Sequence, residues 1–378
     1  MPELEKTGLS RHAEIAGAGF AGLTTAIALS QQGWTVRMHE RNPELRQFGA
    51  GIFLWENSIR VLEAIGAADA VMKNSMTPNF YETRVQNETR SKETFGNIRW
   101  RTMARQTLYS ALLAKARDEG VEIRTESEVV SADPTGSITL ASGEVLHADL
   151  VIGADGVGSK VRDSIGFTQD RRKSRDGITR FLVPRFKEKL GPGEWDNVID
   201  FWNFEPRVLR VLYVPCTDED LYIALMAPRE DPDGSRGPID LDLWVSIFPH
   251  LRPLLEAAST LPGKYDRYET TVLDSWTRGK VALVGDSAHA MCPALAQGAG
   301  CAMMNGFTLA ASVTAASDDI ANALLQWESR ERGITDRCQE RSANYAETRD
   351  MSKGNQFTPT ILETAAYDPL AAAEFASR

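Results

Sequence analysis

From residue 12 onward the chain switches between short apolar strands and helical stripes. "AEIAG" reads as a buried strand and "FAGLTTAIALSQQG" as a helix with Leu23, Ala26, Ile27 and Ser30 at helical spacing. "TVRMHE" follows Gly33 as a second, alternating strand that ends in Glu40. Two later apolar strands, Leu150 to Ile152 and Val281 to Val284, each run into a glycine turn, "GADG" and "GD". Between about residues 171 and 275 the pattern changes to period two. There "NVIDFWNF", "VLRVLYVP" and "DLYIALMAP" predict antiparallel strands, with the turn "CTDED" joining the last two. "NALLQWESRERGITDRCQERSANYAE" predicts long helical stretches whose charges form a solvated face. The pattern predicts an α/β fold: a discontinuous Rossmann-like domain, an inserted antiparallel β-sheet domain and C-terminal helices.

Composition narrows the function. A length of 378 residues suits two domains, or one α/β domain carrying an insertion. Forty-two Lys and Arg stand against 52 Asp and Glu, a net charge of −10, and no basic tract interrupts the balance. Nucleic acid and anionic membrane are therefore not expected partners, and an anionic substrate has to be met by a few local arginines. Cys216, Cys292, Cys301 and Cys338 show neither a CxxC pair nor metal-ligand spacing, so reduced, mostly buried thiols and no metal are expected. No apolar run reaches membrane-spanning length and the opening "MPELEKTGLSRH" is polar, so the expected location is the cytoplasm.

Gly17, Gly19 and Gly22 supply the G-x-G-x-x-G spacing between strand and helix. Gly17 permits the tight turn, Gly19 a close approach of pyrophosphate to the backbone, and Gly22 the packing of helix on strand. Glu40 stands where an acid is needed to bind a ribose diol, which favours an unphosphorylated ribose. FAD and NAD remain equal candidates on this motif alone. A second complete dinucleotide unit is missing from the sequence, which fits a nicotinamide that binds only in passing.

Glycines 17 to 22 with Glu40, Asp155 in "GADGVGSKVR" and Asp286 in "GDSAHAMCPALAQGAG" occur in this order across residues 13–305. Together they resemble the single-component flavoprotein aromatic hydroxylases, the p-hydroxybenzoate and salicylate hydroxylase family. The resemblance implies bound FAD, with NADH as transient co-substrate and O2 as oxidant. It implies contacts to FAD from Phe20, Ala21, Glu40, Arg41, Arg105, Val130 and Asp155, and Asp286 near the pyrophosphate and ribitol. It further implies that the flavin ring lies against the segment from Pro293 through the turn of Gly298, Ala299 and Gly300. Ser287 replaces the family's usual alanine, and His289 is expected to be structural. The other histidines show no pairing in the sequence. The resemblance also implies a division into an FAD-binding domain (1–75, 98–170 and 276–320), a substrate-binding sheet domain (76–97 and 171–275) and a C-terminal helical segment (321–378).

Within the family, stretches such as "FGAGIFLWEN", "NFYET", "GEWDNVIDFWNF", "KYDRYETT" and "DRCQ…SKGNQFTP" resemble members that act on pyridine carboxylates. That likeness implies a small N-heterocyclic aromatic carboxylate held by Tyr81, Arg180, Arg210, Tyr222 and Tyr268. It implies oxygenation and ring opening of a 3-hydroxypyridine carboxylate such as 2-methyl-3-hydroxypyridine-5-carboxylate. A plain hydroxylase of 5-hydroxynicotinate, 6-hydroxynicotinate or salicylate is the alternative. Phe53 and Glu56 are expected near the flavin face, where they depart from the pattern. A flavin halogenase would need a Trp-x-Trp-x-Ile-Pro stretch, which is missing, and a bare NAD-binding module would leave residues 285–300 without a purpose. No side-chain base stands out, and a homo-oligomer is left open.

Overall fold

The apolar strand His12–Ala16 lies inside a six-stranded sheet ordered Thr277–Arg278, Val281–Leu283, Leu150–Gly153, His12–Ala16, Thr35–His39 and Glu122–Arg124. The computed structural model describes residues 11–45, 50–316, 319–348, 357–360 and 362–376. From Val281–Leu283 to Glu122–Arg124 neighbouring strands run parallel, and Thr277–Arg278 closes the edge as an antiparallel hairpin partner. Parallel strands covered on both faces read as continuous apolar runs, and Leu150–Gly153 is buried throughout. Helix Phe20–Gln31 follows the first strand and packs against helix Gly298–Ala315. Where they cross, a side chain at Gly306 would run into Thr25 Oγ1 and come within 3.3 Å of the Ala21 carbonyl. Only glycine lets the helices approach this closely.

The second sheet has seven strands, ordered Tyr265–Leu273, Gln169–Pro184, Asp220–Pro228, Leu209–Pro215, Val198–Asn203, Tyr81–Val85 and Glu88–Glu93. Its pairing is antiparallel except where Val198–Asn203 meets Tyr81–Val85. The 171–275 region is not all strand, however. Helices Leu241–Ile247 and Arg252–Ser259 lie within it, and Trp244, Leu251, Leu254 and Leu255 pack on Phe201, Val211 and Tyr213 from one sheet face. Strand alternation turns the opposite set, including Tyr81, Leu212 and Tyr222, toward the dinucleotide domain.

Two smaller elements complete the frame. Val129–Asp133, Ser137–Leu140 and Val145–His147 form a three-stranded sheet, and Gly51–Trp55 pairs with Trp100–Ala104. A single helix, Ile320–Thr348, replaces the several stretches expected, and Pro369–Ala376 forms a last one. The C-terminal segment is tied back by an Arg60–Asp368 ion pair and by the Asn57 amide donating to the Ala365 carbonyl at 3.0 Å. Most of "SKGNQFTP" lies outside the described residues, as do the first two residues of "FGAGIFLWEN".

Candidate active site

One cavity of about 930 Å³ runs from the glycine turn at residues 17–19 to the inner face of the seven-stranded sheet. At its dinucleotide end Gly17 adopts φ +99°, and a side chain there would come within 2.7 Å of the Ala154 carbonyl carbon. Gly22 packs rather than lines: a Cβ would collide with the Gly17 carbonyl, so it fixes helix on strand as expected. Glu40 is buried beside this turn. Its carboxylate accepts from the Ala18 amide at 3.3 Å and from the Asn42 amide and side chain at 3.1 and 2.6 Å.

Gly19, Phe20, Ala21, Glu40, Arg41 and Arg105 line the cavity, as do Asp155, Asp286, Pro293, Gly298 and Ala299. Gly298 and Gly300 belong not to a free turn but to the first turn of a helix. Gly300 is buried behind the wall, where a Cβ would lie 3.0 Å from Gln297 Oε1. Val130 also stays out of the cavity. It lies at a register shift between Val129 and Ser131 and is 38% exposed, and the wall is made by its neighbours Glu128 and Val129. Asp155 lines the cavity, but its carboxylate faces its own helix. It accepts from Ser159 Oγ and from the Lys160 and Val161 amides at 2.5, 2.7 and 3.2 Å, while burial raises its pKa. Arg105 begins helix Arg105–Asp118, with its guanidinium 5.5 Å from the Phe20 ring.

The dinucleotide end fits FAD on its donor set. Helices Phe20–Gln31 and Gly298–Ala315 both start at this cavity with no side-chain cap and no acid in the first turn. Their leading N–H groups, with the positive ends of the helix dipoles, are suited to phosphate and flavin oxygens. A Cβ at Gly19 would meet nothing within 4 Å, so the turn opens on free space. Ser287 is compatible with this turn, because its hydroxyl donates to the Gly153 and Val284 carbonyls at 2.5 and 2.7 Å.

At the sheet end, strand register gathers the five expected side chains. Arg210 is paired with Trp202 and Met226, Arg180 with Ala224, Tyr222 with Leu182 and Val214, and Tyr81 with Val198. These four and Tyr268 line the cavity. They are not equivalent. The Arg210 guanidinium is bound bidentately to buried Asp200, at 2.5 Å from Nε to Oδ1 and 3.1 Å from Nη2 to Oδ2. The Tyr81 hydroxyl donates to the same carboxylate at 3.0 Å, and Arg210 Nη1 reaches Met226 Sδ at 2.6 Å. Arg180 carries a lighter load. Its nearest carboxylate, Asp266, lies 3.8 Å away at the rim, and its guanidinium stands 5.5 Å from the Tyr268 ring. Burial raises the pKa of both Tyr222 and Tyr268, so the two phenols stay protonated and act as donors.

Several wall residues are not apparent from the motifs. Phe357 meets Tyr81 edge-on with ring centroids 5.2 Å apart, and its amide donates to Glu93 Oε2 at 2.8 Å. Cys292, Trp202 and Met226 also line the cavity. Asp200 was signalled indirectly: a buried arginine on an apolar strand face requires a partner, and "VIDFW" has an acid on the matching face. Phe53 does line the cavity, but Glu56 turns away to Arg99 and Arg60, the Arg99 hydrogen bond first among the contacts that hold its pKa at about 2. His289 is buried against Trp276 and accepts from Asn305 Nδ2 at 3.1 Å, and burial pushes its pKa down to about 4. The expectation of unpaired histidines fails at two positions. His12 and His39 both contact buried Glu14, because register on adjacent parallel strands brings them together. Among the described residues no cluster of His, Cys, Asp and Glu could hold a metal, and all four cysteines are buried and outside any disulfide.

Residues 12–338 match the family described as FAD binding domain, and the chain belongs to that family. It is an FAD-dependent aromatic monooxygenase. A solved tetrameric form of 2-methyl-3-hydroxypyridine-5-carboxylic acid oxygenase is 60% identical, covers 96% of this chain and 98% of its own, and superposes with a TM-score of 0.94. A Rhodococcus erythropolis protein described as a putative 2-heptyl-3-hydroxy-4(1H)-quinolone synthase is 40% identical, over 88% of this chain and 87% of its own. The 6-hydroxynicotinate 3-monooxygenase of Pseudomonas fluorescens is 26% identical over 84% and 87%. No helix among the described residues is long and apolar enough to cross a membrane.

Proposed function

We propose that the protein oxygenates and ring-opens 2-methyl-3-hydroxypyridine-5-carboxylate, a step of vitamin B6 breakdown, with NADH and O2. The observation that carries this reading is a cation flanked by two phenols at the end of a cavity that begins at an FAD signature. The 60% identity to the pyridine-carboxylate oxygenase supports it. A heptyl quinolone, the ligand class in the name of the 40% relative, has no carboxylate to match Arg180.

In this reading Gly17, Gly19, Phe20, Ala21 and the helix behind them hold the pyrophosphate, Glu40 and Arg41 the adenosine side, and Arg105, Asp286 and residues 293–300 the ribitol and ring. Gly22 and Gly300 shape these turns from behind, and Glu128 and Val129, next to Val130, form the wall there. The FAD-binding unit comprises 1–75, 98–170 and 276–320, the substrate unit 76–97 and 171–275. When bound and reduced by NADH, FAD supplies an electrophilic oxygen atom from O2. Arg180 takes the substrate carboxylate, since a planar guanidinium matches a planar carboxylate in two parallel hydrogen bonds. Tyr222 and Tyr268 orient the ring and its hydroxyl by donating to them, and the aromatic wall of Tyr81, Trp55 and Phe357 keeps water from the reacting face. With C2 methylated the oxygenated ring has no hydrogen to lose there. Water then adds at C3, the C2–C3 bond breaks, and the freed electron pair is protonated at C4. The product is an open-chain acid. A homo-oligomer, as in the tetrameric neighbour, is part of the proposal and is read by light scattering.

The test is turnover of the purified holoenzyme with NADH and 2-methyl-3-hydroxypyridine-5-carboxylate, with 5-hydroxynicotinate and 6-hydroxynicotinate in parallel. Gain of two oxygens and two hydrogens with loss of the aromatic near-ultraviolet band is expected. Gain of one oxygen with the band retained would make the enzyme a plain hydroxylase. NADH oxidation unaffected by all three compounds would overturn the pyridine reading.

A further inference from the structure

Two of the arginines that line the sheet end of the cavity, Arg180 and Arg210, stand with Tyr222 and Tyr268, yet the proposed substrate brings one carboxylate. Asp200 resolves the mismatch. It is fully buried on strand Val198–Asn203, directly across from Leu212, and does not line the cavity itself. Both its oxygens are engaged, Oδ1 by Arg210 Nε and Oδ2 by Arg210 Nη2 and the Tyr81 hydroxyl. Arg210 Nη2 also lies 3.4 Å from the Tyr81 oxygen, and the guanidinium sits 5.0 Å from the Trp202 ring. Arginine, carboxylate and phenol thus form one closed unit with no net charge. The carboxylate that Arg180 meets is Asp266, 43% exposed at the rim, where solvent screens the pair, and its other neighbours are the neutral phenols Tyr222 and Tyr268. Arg105 stands over Phe20 on the dinucleotide side and also acts electrostatically on Tyr222, while Arg172, Lys173, Arg175 and Arg267 line the cavity from strands Gln169–Pro184 and Tyr265–Leu273.

We propose that Asp200 is a specificity-determining positioning residue: by closing Arg210 and Tyr81 into a neutral unit, it leaves Arg180 as the arginine beside Tyr222 and Tyr268 that is not closed on a buried carboxylate, and so favours aromatic monocarboxylates. The inference rests on the anionic aromatic substrate proposed above. It follows from the expense of an uncompensated buried charge. A second carboxylate would have to displace Asp200 from a bidentate pair or remain unpaired in a low-dielectric pocket. Removing the Asp200 charge would turn Arg210 into a second anion receptor.

The experiment titrates wild-type holoenzyme, D200N, R180M and the double variant D200L/R210M, following perturbation of flavin absorbance. The probes are 2-methyl-3-hydroxypyridine-5-carboxylate, pyridine-2,5-dicarboxylate and neutral 3-hydroxypyridine. D200N is expected to shift the ratio of dianion to monoanion affinity by about tenfold or more toward the dianion, because a like-placed charge now attracts it. In D200L/R210M, where the pair is replaced by apolar groups of similar volume, the wild-type ratio should return. R180M should lose monoanion affinity while keeping that of neutral 3-hydroxypyridine. A D200N ratio equal to wild type overturns the inference. If D200N does not fold, the double variant decides: monoanion binding lost there makes Arg210 the anchor and overturns it, and monoanion binding kept sustains it. A wild type that binds none of the probes overturns both this inference and the substrate reading. A wild type that binds the monoanion without turning it over, while D200N shows the ratio shift, fails the substrate reading alone.

Discussion

Glu40 and Arg180 sit at opposite ends of one cavity and meet opposite demands. Glu40 is held by amides of its own turn region, so its carboxylate is fixed before any ribose arrives. Glu40→Ala should remove one or two charge-assisted hydrogen bonds to the nucleotide, weakening FAD binding by about 1.5–3 kcal/mol. Titration of apoprotein with FAD, read by quenching of flavin fluorescence, would measure this, and unchanged affinity would exclude Glu40 from the ribose contact. Arg180 is different because it waits for the substrate. Arg180→Met keeps much of the side-chain volume but removes the fork, so KM for the carboxylate substrate should rise about a hundredfold while the flavin spectrum stays unchanged. A change in kcat alone would place Arg180 in the chemistry rather than in binding.

At the scale of elements, the two domains touch through a backbone. Strand Gly51–Trp55 presses on strand Asp220–Pro228 so closely that a Cβ at Gly51 would enter the Tyr222 side chain, 2.6 Å from its Cγ. Gly51→Ala should push the two strands apart, lower stability by about 1–3 kcal/mol and tilt Tyr222 out of the substrate end. A lower melting temperature together with a raised KM is expected, and a fall in stability with KM unchanged would show that Tyr222 tolerates the shift. This contact also marks how far the sequence could be read. The glycine turn, its helix and Glu40 were legible because a dinucleotide site needs those residues at fixed local spacing. Tyr81, Arg180, Arg210 and Tyr222 were placed through family likeness, and alternation then explains why one sheet face presents them. Helices Leu241–Ile247 and Arg252–Ser259 were missed because they are only seven and eight residues long, too short for their helical spacing to stand out among the strands around them. Asp200 was signalled only through the need of Arg210 for a partner, while its bond to Tyr81 and the position of Phe357 depend on chain return across 119 and 264 residues, which no local pattern encodes.

The whole molecule closes where the C-terminal segment returns over helices Gly298–Ala315 and Ile320–Thr348, and an ionisable group is buried in that seam. Glu331 is fully buried, accepts from the Tyr367 hydroxyl at 3.3 Å, and burial pushes its pKa from 4.5 up to about 7. The folded protein therefore holds a proton between about pH 4.5 and 7 that the unfolded chain has already released. The stability this carboxyl contributes is complete below about pH 4.5 and is lost as the pH rises to about 7. His250 and His289 act in the opposite sense. Burial pushes both from 6.5 down to about 4, so the unfolded chain takes up protons that the fold refuses, and stability falls as the pH drops through that window. The two effects overlap in the raw profile, and Glu331→Gln separates them, since the amide keeps the Tyr367 contact and cannot ionise. The variant should match wild type near about pH 4.5 and exceed it by up to about 3 kcal/mol at about pH 8, in denaturant melts of the holoenzyme followed by flavin release. A constant difference across that range would mean that Glu331 titrates alike in the folded and unfolded chain, and that the C-terminal seam is held by packing and by the Arg60–Asp368 and Arg337–Glu363 pairs instead.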